Sequence, residues 1–390
     1  MHMEPIRQFK DRKFLLTSEI EGGNAINFRK YPGDIYSFEP KRDPGENYSN
    51  QAYYFKFQIE NLQKDPQHVT VTAIADYDDV WKGWQFSLNP SLWTFSPNKQ
   101  ILPEKLPRDT IRATPQSMSI NLLLQSYQKL IISNMLAFPY SQLLDEIERL
   151  AELYPTFLKL TQIGLSPMRN SIYSLKIKSD SETQDNCCKI LIAGSPQPNE
   201  CGDFATLTIL QEFLNKGAEF WDDFLSHFSL ECIFFQNPDG MILGTNMVNS
   251  KGENPFFAWF ENTDDMPEEN QHIWKYLEKN KPNLYLEMHS FFQDNKTIRP
   301  YIYPVDLLSN KKARNLYQKI VKLLIRYCNG MKEEIQLNQP YFRNTLCYKL
   351  MERYHIPSIQ FKLHSAMNLS QITQTSWDVF TRIIKGIKKG

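Results

Sequence analysis

Four residues that lie far apart in the sequence could share one chemical site. Glu200 ends the segment AGSPQPNE, His289 lies in LEMHSF and Lys362 lies in IQFKLH. Carboxylate and imidazole groups are ordinary zinc ligands, and a glutamate can also act as a general base. The amide of Gln197, three residues before Glu200, is a poor neutral ligand, and a protonated lysine cannot accept a proton and repels a divalent cation. The set therefore combines two good zinc ligands with two residues that do not suit zinc chemistry.

The first third of the chain shows the alternation of an antiparallel sheet. Every second residue from Tyr53 to Ile59 is apolar, and residues 69–73 repeat the pattern. WQFSL, LWTFS and residues 110–123 continue the series, with proline-containing turns between them. Because one face of each strand is apolar, we predict an antiparallel β-sandwich domain over residues 1–135.

From residue 136 the pattern changes to alternating strands and helices. Ser141 is a plausible N-cap for a helix whose apolar residues recur at helical spacing. The strands that follow are IYSLKI, KILIAG, LECIFF, LYLEMH, YIYP and SIQFKL, and the helices are 203–215, 268–279, 311–328 and 341–354. This order predicts an α/β domain over residues 136–390 with a mostly parallel, mixed and twisted sheet. The polar, aromatic stretch 244–267 is predicted to be a long functional loop.

The site segments end or follow predicted strands, which is where open α/β sheets form ligand sites. Their arrangement resembles the M14 metallocarboxypeptidase family, and in particular its cytosolic-carboxypeptidase-like branch with an N-terminal β-sandwich. Four strings carry the resemblance: QPNE at the family's His-x-x-Glu motif, NPDG, HSF after a strand, and FKL at the general-base strand. The resemblance implies a zinc-carboxypeptidase-like fold for the second domain.

The resemblance also implies a role for each site residue. Glu200 and His289 match metal ligands, Gln197 stands where the family has a histidine ligand, and Lys362 stands where it has the general-base glutamate. Zinc plus two carboxylates sums to zero charge, and Glu200 with Lys362 also sums to zero without metal. We therefore expect Lys362 to pair with Glu200, with Gln197 and His289 completing the hydrogen bonds and with zinc absent or weakly bound.

The substrate-binding positions of the family are altered as well. Met247 and the pair Phe256–Phe257 align with the arginines that grip a substrate carboxylate, and Arg299 or Arg343 could supply a displaced cation. Tyr341 lies about where the family has a tyrosine that contacts substrate. The alternative is that Met247 and the phenylalanines are loop anchors and that Tyr341 is an aromatic residue at a helix start.

The site residues also have purely structural interpretations. Glu200 could complement the dipole of a following helix, and His289 could be a hydrogen-bonded structural histidine. Lys362 could extend to solvent without a partner. His364, which shares the strand face of Lys362, could be a relocated ligand or base, or a surface histidine.

Composition limits the partners. The 390 residues include 44 basic and 44 acidic side chains, so the net charge is zero and no nucleic-acid partner is expected. No apolar stretch is long enough to span a bilayer, so no membrane partner is expected. The charged N-terminus does not resemble a secretory signal. These features predict a cytoplasmic protein, with export without a cleaved signal as the alternative.

Three functions follow from these observations. The leading hypothesis is a pseudopeptidase that binds a peptide or protein C-terminal tail in the former active-site crevice. The alternative is a divergent metal-dependent peptidase or amidase that uses Glu200, His289 and a substitute ligand such as His364 or Gln197. The third is a metal-free enzyme in which Lys362 is a nucleophile or an acid.

Overall fold

The computed structural model describes residues 5–44, 52–75, 85–88, 90–96, 102–177, 187–291 and 297–388. Within these ranges the strands form three sheets, of six, five and eight strands. The first two sheets lie in the N-terminal part of the chain and the third lies in the C-terminal part. This arrangement confirms the predicted fold class, whereas the boundary between residues 135 and 136 stays a prediction.

The two N-terminal sheets pack against each other around one apolar core. The six-stranded sheet has the order β1 (Gln8–Lys10), β2 (Phe14–Thr17), β5 (Lys56–Asn61), β11 (Lys129–Ser133), β7 (Trp93–Phe95) and β8 (Glu104–Lys105). The five-stranded sheet has the order β3 (Ala25–Tyr31), β4 (Ile35–Pro40), β6 (Gln67–Ile74), β10 (Ser117–Leu124) and β9 (Ile111–Ala113). Phe57 of one sheet and Phe38 of the other meet in this core with ring centroids 4.8 Å apart. Burying one face of each sheet stabilises the sandwich.

Three details of the sandwich differ from the sequence prediction. The pairing of β4 with β6 is parallel rather than antiparallel. Residues 86–88 of the segment WQFSL form a short 3-10 turn instead of a strand, and Trp84 lies outside the described residues. Tyr54, just before β5, and Lys56, its first residue, are buried although alternation assigns both to the solvent face. That face is covered by the second domain, because Lys56 Nζ donates to the backbone oxygen of Ala137.

The eight-stranded sheet forms the centre of the second domain. Its order is β12 (Leu158–Leu165), β13 (Ser171–Ile177), β15 (Phe228–Phe234), β14 (Cys188–Ala193), β16 (Leu284–Phe291), β19 (Ser358–His364), β17 (Arg299–Ile302) and β18 (Glu333–Glu334). The central strands β15, β14, β16 and β19 are parallel, and β13 and β17 join them in antiparallel pairs. Strand β14 is apolar and buried from Ile190 to Ala193, because parallel strands are covered on both faces.

Eight helices of the described ranges surround this sheet. They are α1 (Tyr140–Leu153), α2 (Gly202–Leu214), α3 (Ala218–Leu225), α4 (Pro238–Leu243), α5 (Glu268–Lys279), α6 (Lys311–Tyr327), α7 (Leu346–Tyr354) and α8 (Leu369–Lys388). The helix predicted over 341–354 begins later, because Pro340–Asn344 form a 3-10 turn and Thr345 caps α7 by accepting from the Tyr348 amide. The stretch 244–267 contains two further 3-10 turns, at Pro255–Phe257 and Thr263–Asp265.

The start of α1 also differs from the prediction. The helix begins at Tyr140, and Ser141 is its second residue rather than its N-cap. The acceptor at this helix end is Glu21 of the N-terminal domain, whose Oε1 accepts from the Ser141 amide at 2.8 Å. A carboxylate at a helix N-terminus satisfies an unpaired N–H group and complements the helix dipole. The sandwich therefore supplies the cap of the first helix of the other domain.

A second junction holds the loop after α4 to the sandwich. The side-chain oxygen of Asn246 accepts from the amides of Tyr53 and Tyr54, at 3.1 and 2.8 Å. Asp43 accepts from the amides of Asn246 and Met247, at 2.8 and 2.6 Å. Burial raises the pKa of Asp43 to about 6, although these hydrogen bonds oppose the shift. The loop that leads toward the candidate site is thus fixed by residues of the N-terminal domain.

Candidate functional site

The four candidate residues meet at the C-terminal ends of three neighbouring strands. Gln197 and Glu200 lie on the turn between β14 and α2, His289 lies in β16 and Lys362 lies in β19. The parallel register of β16 and β19 pairs His289 with Lys362. Gly202 allows the turn to approach, because a Cβ atom there would lie 2.2 Å from the backbone oxygen of Met288. The topology therefore brings together residues that are separated by up to 165 positions in sequence.

Glu200 and Lys362 form a buried ion pair. Lys362 Nζ lies 3.7 Å from Glu200 Oε1, and both side chains are almost inaccessible to solvent. The other carboxylate oxygen, Oε2, lies 2.9 Å from His289 Nδ1 and accepts from the Ser290 amide at 2.9 Å. A buried charge is tolerated when it is paired and hydrogen-bonded in this way. The structure thus places Lys362, Glu200 and His289 in one connected group.

Glu287 is a fourth charged member of the group, and the sequence analysis missed it. Its Oε2 lies 2.9 Å from His289 Nε2 and accepts from the side-chain amide nitrogen Nε2 of Gln360 at 2.9 Å. Its Oε1 accepts from the hydroxyl of Tyr285 at 2.8 Å. The sequence did contain a signal, because Glu287 precedes His289 by two residues on a strand and therefore shares its face. Each nitrogen of His289 consequently faces a carboxylate oxygen.

The charges of this group compensate one another. Burial raises the pKa of Glu200, but Lys362 and His289 outweigh this effect and hold the pKa below its usual range. Burial likewise raises the pKa of Glu287, and its hydrogen bond to His289 helps to bring it below the usual range. Burial lowers the pKa of Lys362, with Glu200 and Glu287 opposing the shift. The ammonium of Lys362 therefore compensates Glu200, and both carboxylates share His289 as a hydrogen-bonding partner.

Aromatic rings cover this group. The ring of Phe256 lies 5.2 Å from that of His289 and 5.7 Å from Lys362 Nζ. The ring of Tyr301 lies 5.3 Å from the same ammonium, so Lys362 contacts two aromatic faces at cation–π distances. Phe256, His289 and Lys362 are only 4%, 0% and 2% exposed. Water therefore has little access to the place where a hydrolytic reaction would occur.

Arg299 is engaged beside this group rather than in it. It pairs with Lys362 in the register of β17 and β19, and its Nε donates to Glu333 at 2.9 Å. Its charge is therefore compensated at the edge of the sheet. This pairing leaves Arg299 poorly suited to grip a ligand carboxylate.

The side chains at the centre do not fit a zinc ion. Both nitrogens of His289 are directed at carboxylates, and the oxygen of Glu200 that lacks a hydrogen bond faces an ammonium. Gln197 offers a buried amide oxygen that has no hydrogen bond, which is a poor zinc ligand. Within the described ranges, no three His, Cys, Asp or Glu side chains are arranged to hold a metal ion. Gln197 contacts the network through its backbone, because its amide donates to Ser195 Oγ and its carbonyl oxygen accepts from the Glu200 amide.

The predicted substrate-binding residues fall into two places. Phe256 and Phe257 stand next to each other with centroids 4.5 Å apart, and Phe257 contacts the ring of Tyr341 at 5.0 Å. These rings form an aromatic series that leads outward from His289. Arg343, two residues after Tyr341, is exposed, and its side chain donates to the backbone oxygen of Leu337. Met247 is buried at the junction with the sandwich, where its amide is held by Asp43.

The side chains of His364 and of the segment NPDG form local hydrogen bonds that stabilise turns. His364 is buried rather than at the surface, and its Nδ1 accepts from the Ala366 amide at 2.9 Å. Asn237 caps α4 by accepting from the Gly240 amide, and Asp239 accepts from Asn170 and from the Met168 amide. NPDG therefore shapes the turn after β15 and ties it to the hairpin of β12 and β13.

Comparisons with known proteins agree with this architecture. The family model described as zinc carboxypeptidase, Peptidase M14, matches residues 143–264. A metallo-carboxypeptidase from Burkholderia cenocepacia is 11% identical with a TM-score of 0.77, over 96% of this chain and 99% of that one. A metallo-carboxypeptidase from Pseudomonas aeruginosa, in complex with (2-guanidinoethylmercapto)succinic acid, is 13% identical with a TM-score of 0.74, over 96% and 99%. No curated protein matches the sequence significantly.

Residues 143–264 thus match the M14 zinc carboxypeptidase family model, and the chain shares the fold of solved carboxypeptidases. A putative carboxypeptidase A from Shewanella denitrificans shares the fold as well, at 16% identity and a TM-score of 0.75 over 95% of this chain and 98% of that one. At these identities the solved structures establish the fold of the chain and leave its chemistry to the site residues. No helix in the described part of the chain is long and apolar enough to cross a membrane.

Proposed function

We propose that this M14-like protein is a pseudopeptidase, in which a metal-independent charge network replaces a zinc centre. The ion pair of Lys362 with Glu200, at 3.7 Å, is the observation that carries the proposal. An ammonium at this place repels a divalent cation and cannot accept a proton from water. Lys362 already compensates the charge of Glu200, so a zinc ion beside this pair would add two further positive charges. The group stabilises the fold instead of performing hydrolysis.

The protein binds a peptide or protein C-terminal tail and does not cleave it. Its fold is that of proteins named as carboxypeptidases, a family whose name implies substrates with a peptide C-terminus. Phe256 closes the centre, so the tail contacts the outer part of the aromatic series, at Phe257 and Tyr341. Aromatic side chains favour apolar residues in the tail, and they offer no cation to its terminal carboxylate. A cytoplasmic location is part of the same proposal, and cell fractionation with a specific antibody tests it.

A divergent metal-dependent hydrolase is the second candidate. Gln197 Oε1 and Glu200 Oε1 are both buried without a hydrogen bond, and unsatisfied buried oxygens are costly unless something binds them. This function needs Lys362 to move away from Glu200 and His289 to release one carboxylate. The present hydrogen bonds oppose both movements.

Metal content tests the proposal directly. Purified protein is dialysed with and without prior incubation with excess zinc chloride, and its zinc is measured by elemental analysis. The proposal expects no zinc to be retained, together with an unchanged melting temperature in the presence of a chelator. Near-stoichiometric zinc that survives dialysis would overturn the pseudopeptidase proposal and favour the hydrolase. A labelled peptide with an apolar C-terminal residue tests binding, measured by fluorescence anisotropy. Mass spectrometry of the same peptide after incubation tests cleavage, and the proposal expects the peptide to remain intact.

A further inference from the structure

Helix α6 carries a stripe of positive charge on its solvent-facing side. Its sequence contains no Asp or Glu. We define the α6 stripe as Lys311, Lys312, Lys319, Lys322 and Arg326. At 100° per residue these five positions fall within about a third of the helix circumference. The buried residues Tyr317, Ile320 and Leu324 occupy the opposite side. The stripe therefore points away from the core.

The stripe is unfavourable for the helix itself. Lys319 and Lys322, and Lys322 and Arg326, are spaced at i,i+3 and i,i+4, where like charges repel. Lys311 and Lys312 lie in the first turn, where positive charge opposes the helix dipole. Among the described residues, none of the five side chains has an ion pair with a carboxylate. Because the whole chain has zero net charge, a general excess of basic residues does not explain the stripe.

An apolar cavity lies beside the stripe. Its volume is about 510 Å³, and it lies between α6, the turn after β17 and the segment around β18. Ile302, Val305, Val321, Ile325 and Ile335 line it, together with Lys322 of the stripe and with Glu334, which is paired with Lys332. The cavity has room for apolar side chains of a ligand, and Lys322 connects it to the stripe. A ligand that fits both features carries negative charge and an apolar group.

We propose that the α6 stripe and this cavity bind an acidic polypeptide segment that carries an apolar side chain. The acidic residues of the segment bind the basic stripe through charge complementarity, and its apolar side chain fills the cavity. A polypeptide is favoured over a nucleic acid, because a phosphate backbone has no aliphatic group to fill a cavity lined by isoleucine and valine. The surface is separate from the group around Lys362, so this interaction does not depend on the proposed pseudopeptidase function.

A charge-neutralising variant tests the interaction. The probe is a fluorescently labelled synthetic peptide of glutamates interrupted by leucines, and its binding to the full chain is measured by fluorescence anisotropy. The test variant is K319Q/K322Q/R326Q. The matched control is K159Q/K275Q/K279Q, which removes the same charge from exposed lysines on β12 and α5 at the other edge of the sheet. Circular dichroism verifies that both variants are folded.

We expect the α6 variant to lose at least about tenfold in affinity while the control stays close to the parent protein. Higher salt should weaken binding to the parent, and an all-glutamate peptide of equal length should bind less tightly because it leaves the cavity empty. An equal loss in the control variant would overturn the proposal, since binding would then follow net charge alone. Tighter binding of phosphatidylserine vesicles or of single-stranded DNA, in competition with the peptide, would also overturn it.

Discussion

Glu287 and His289 lie two residues apart on one strand, and the carboxylate of Glu287 lies 2.9 Å from Nε2 of the imidazole. Glu200 approaches the other nitrogen of the same ring, also at 2.9 Å. A histidine held between two carboxylates is fixed in orientation. Both of its nitrogens are engaged by side chains of this network, so neither is directed at an open position for a metal ion. This relationship makes His289 the centre of the compensated group.

Removal of Glu200 should destabilise the protein strongly. The change Glu200→Ala leaves Lys362 and His289 buried without their shared carboxylate, and we expect a loss of roughly 3–5 kcal/mol in the free energy of unfolding. Urea denaturation measures it. Glu200→Gln preserves the shape and separates the charge effect from the cavity effect, and Glu148→Ala at an exposed position of α1 is the control. A melting temperature for Glu200→Ala equal to that of the control would show that the ion pair contributes nothing.

Restoring the family's residues should create zinc dependence. The double variant Q197H/K362E adds an imidazole ligand and replaces the ammonium by a carboxylate. Without metal it contains three buried carboxylates near one another, so we expect a lower melting temperature than that of the parent. Added zinc should raise the melting temperature of the double variant and leave that of the parent unchanged. Differential scanning fluorimetry with zinc and with chelator compares the two, and a zinc-induced rise in the parent would contradict the prediction.

Stability should be greatest in mildly acidic solution. Burial raises the pKa of Asp43 to about 6 and those of Asp203 and Glu269 to about 7. Their folded forms bind a proton more tightly than their unfolded forms, so the stability that they contribute rises as the pH falls from about 8 toward 5. Glu200 and Glu287 have lowered pKa values, so their contribution is lost in stronger acid, below their usual values.

The variant Asp203→Asn isolates one of these groups. An asparagine oxygen can still accept from the Phe235 amide, which Asp203 Oδ1 does at 3.0 Å. Because the amide does not ionise, the variant should be stabilised relative to the parent at pH 8 and should depend less on pH between about 8 and 5. Denaturant unfolding at a series of pH values measures this. Parallel pH profiles of the two proteins would refute the assignment.

The ring of Phe256 should control access to Lys362. Phe256→Ala removes a buried ring that contacts both His289 and the Lys362 ammonium, and we expect a loss of ~3–5 kcal/mol in stability. It should also allow an amine-reactive reagent to modify Lys362 in the native protein, as read by peptide mass spectrometry. Phe257→Ala, at the more exposed neighbour, should leave Lys362 protected. Modification of Lys362 in the parent at the rate of surface lysines would show that the centre is open.

The sequence predicted the sandwich and the mixed sheet because periodicity reports which face of a strand is buried. The prediction was wrong for Lys56, which is buried because the second domain covers the outer face of its sheet. Alternation within one strand cannot show whether another domain covers its polar face. His289 was found through its flanking residues. Glu287 was missed because its role depends on Gln360 and Tyr285, which reach it through strand pairing and packing. The late start of α7 was missed because the N-cap signal of Thr345, which follows the 3-10 turn at Pro340–Asn344, was not used.

The cap that Glu21 provides for α1 has a consequence for the independence of the two domains. A fragment that begins at residue 136 would lose the acceptor for the Ser141 amide and the partners Asp43, Tyr53 and Tyr54 of the 245–248 loop. It would also expose apolar surface, because Trp93 and Phe95 of the sandwich pack into the core of the α/β domain. We therefore expect the two parts to unfold as one cooperative unit, and a deletion at their boundary to yield an aggregating fragment rather than a minimal carboxypeptidase-like domain.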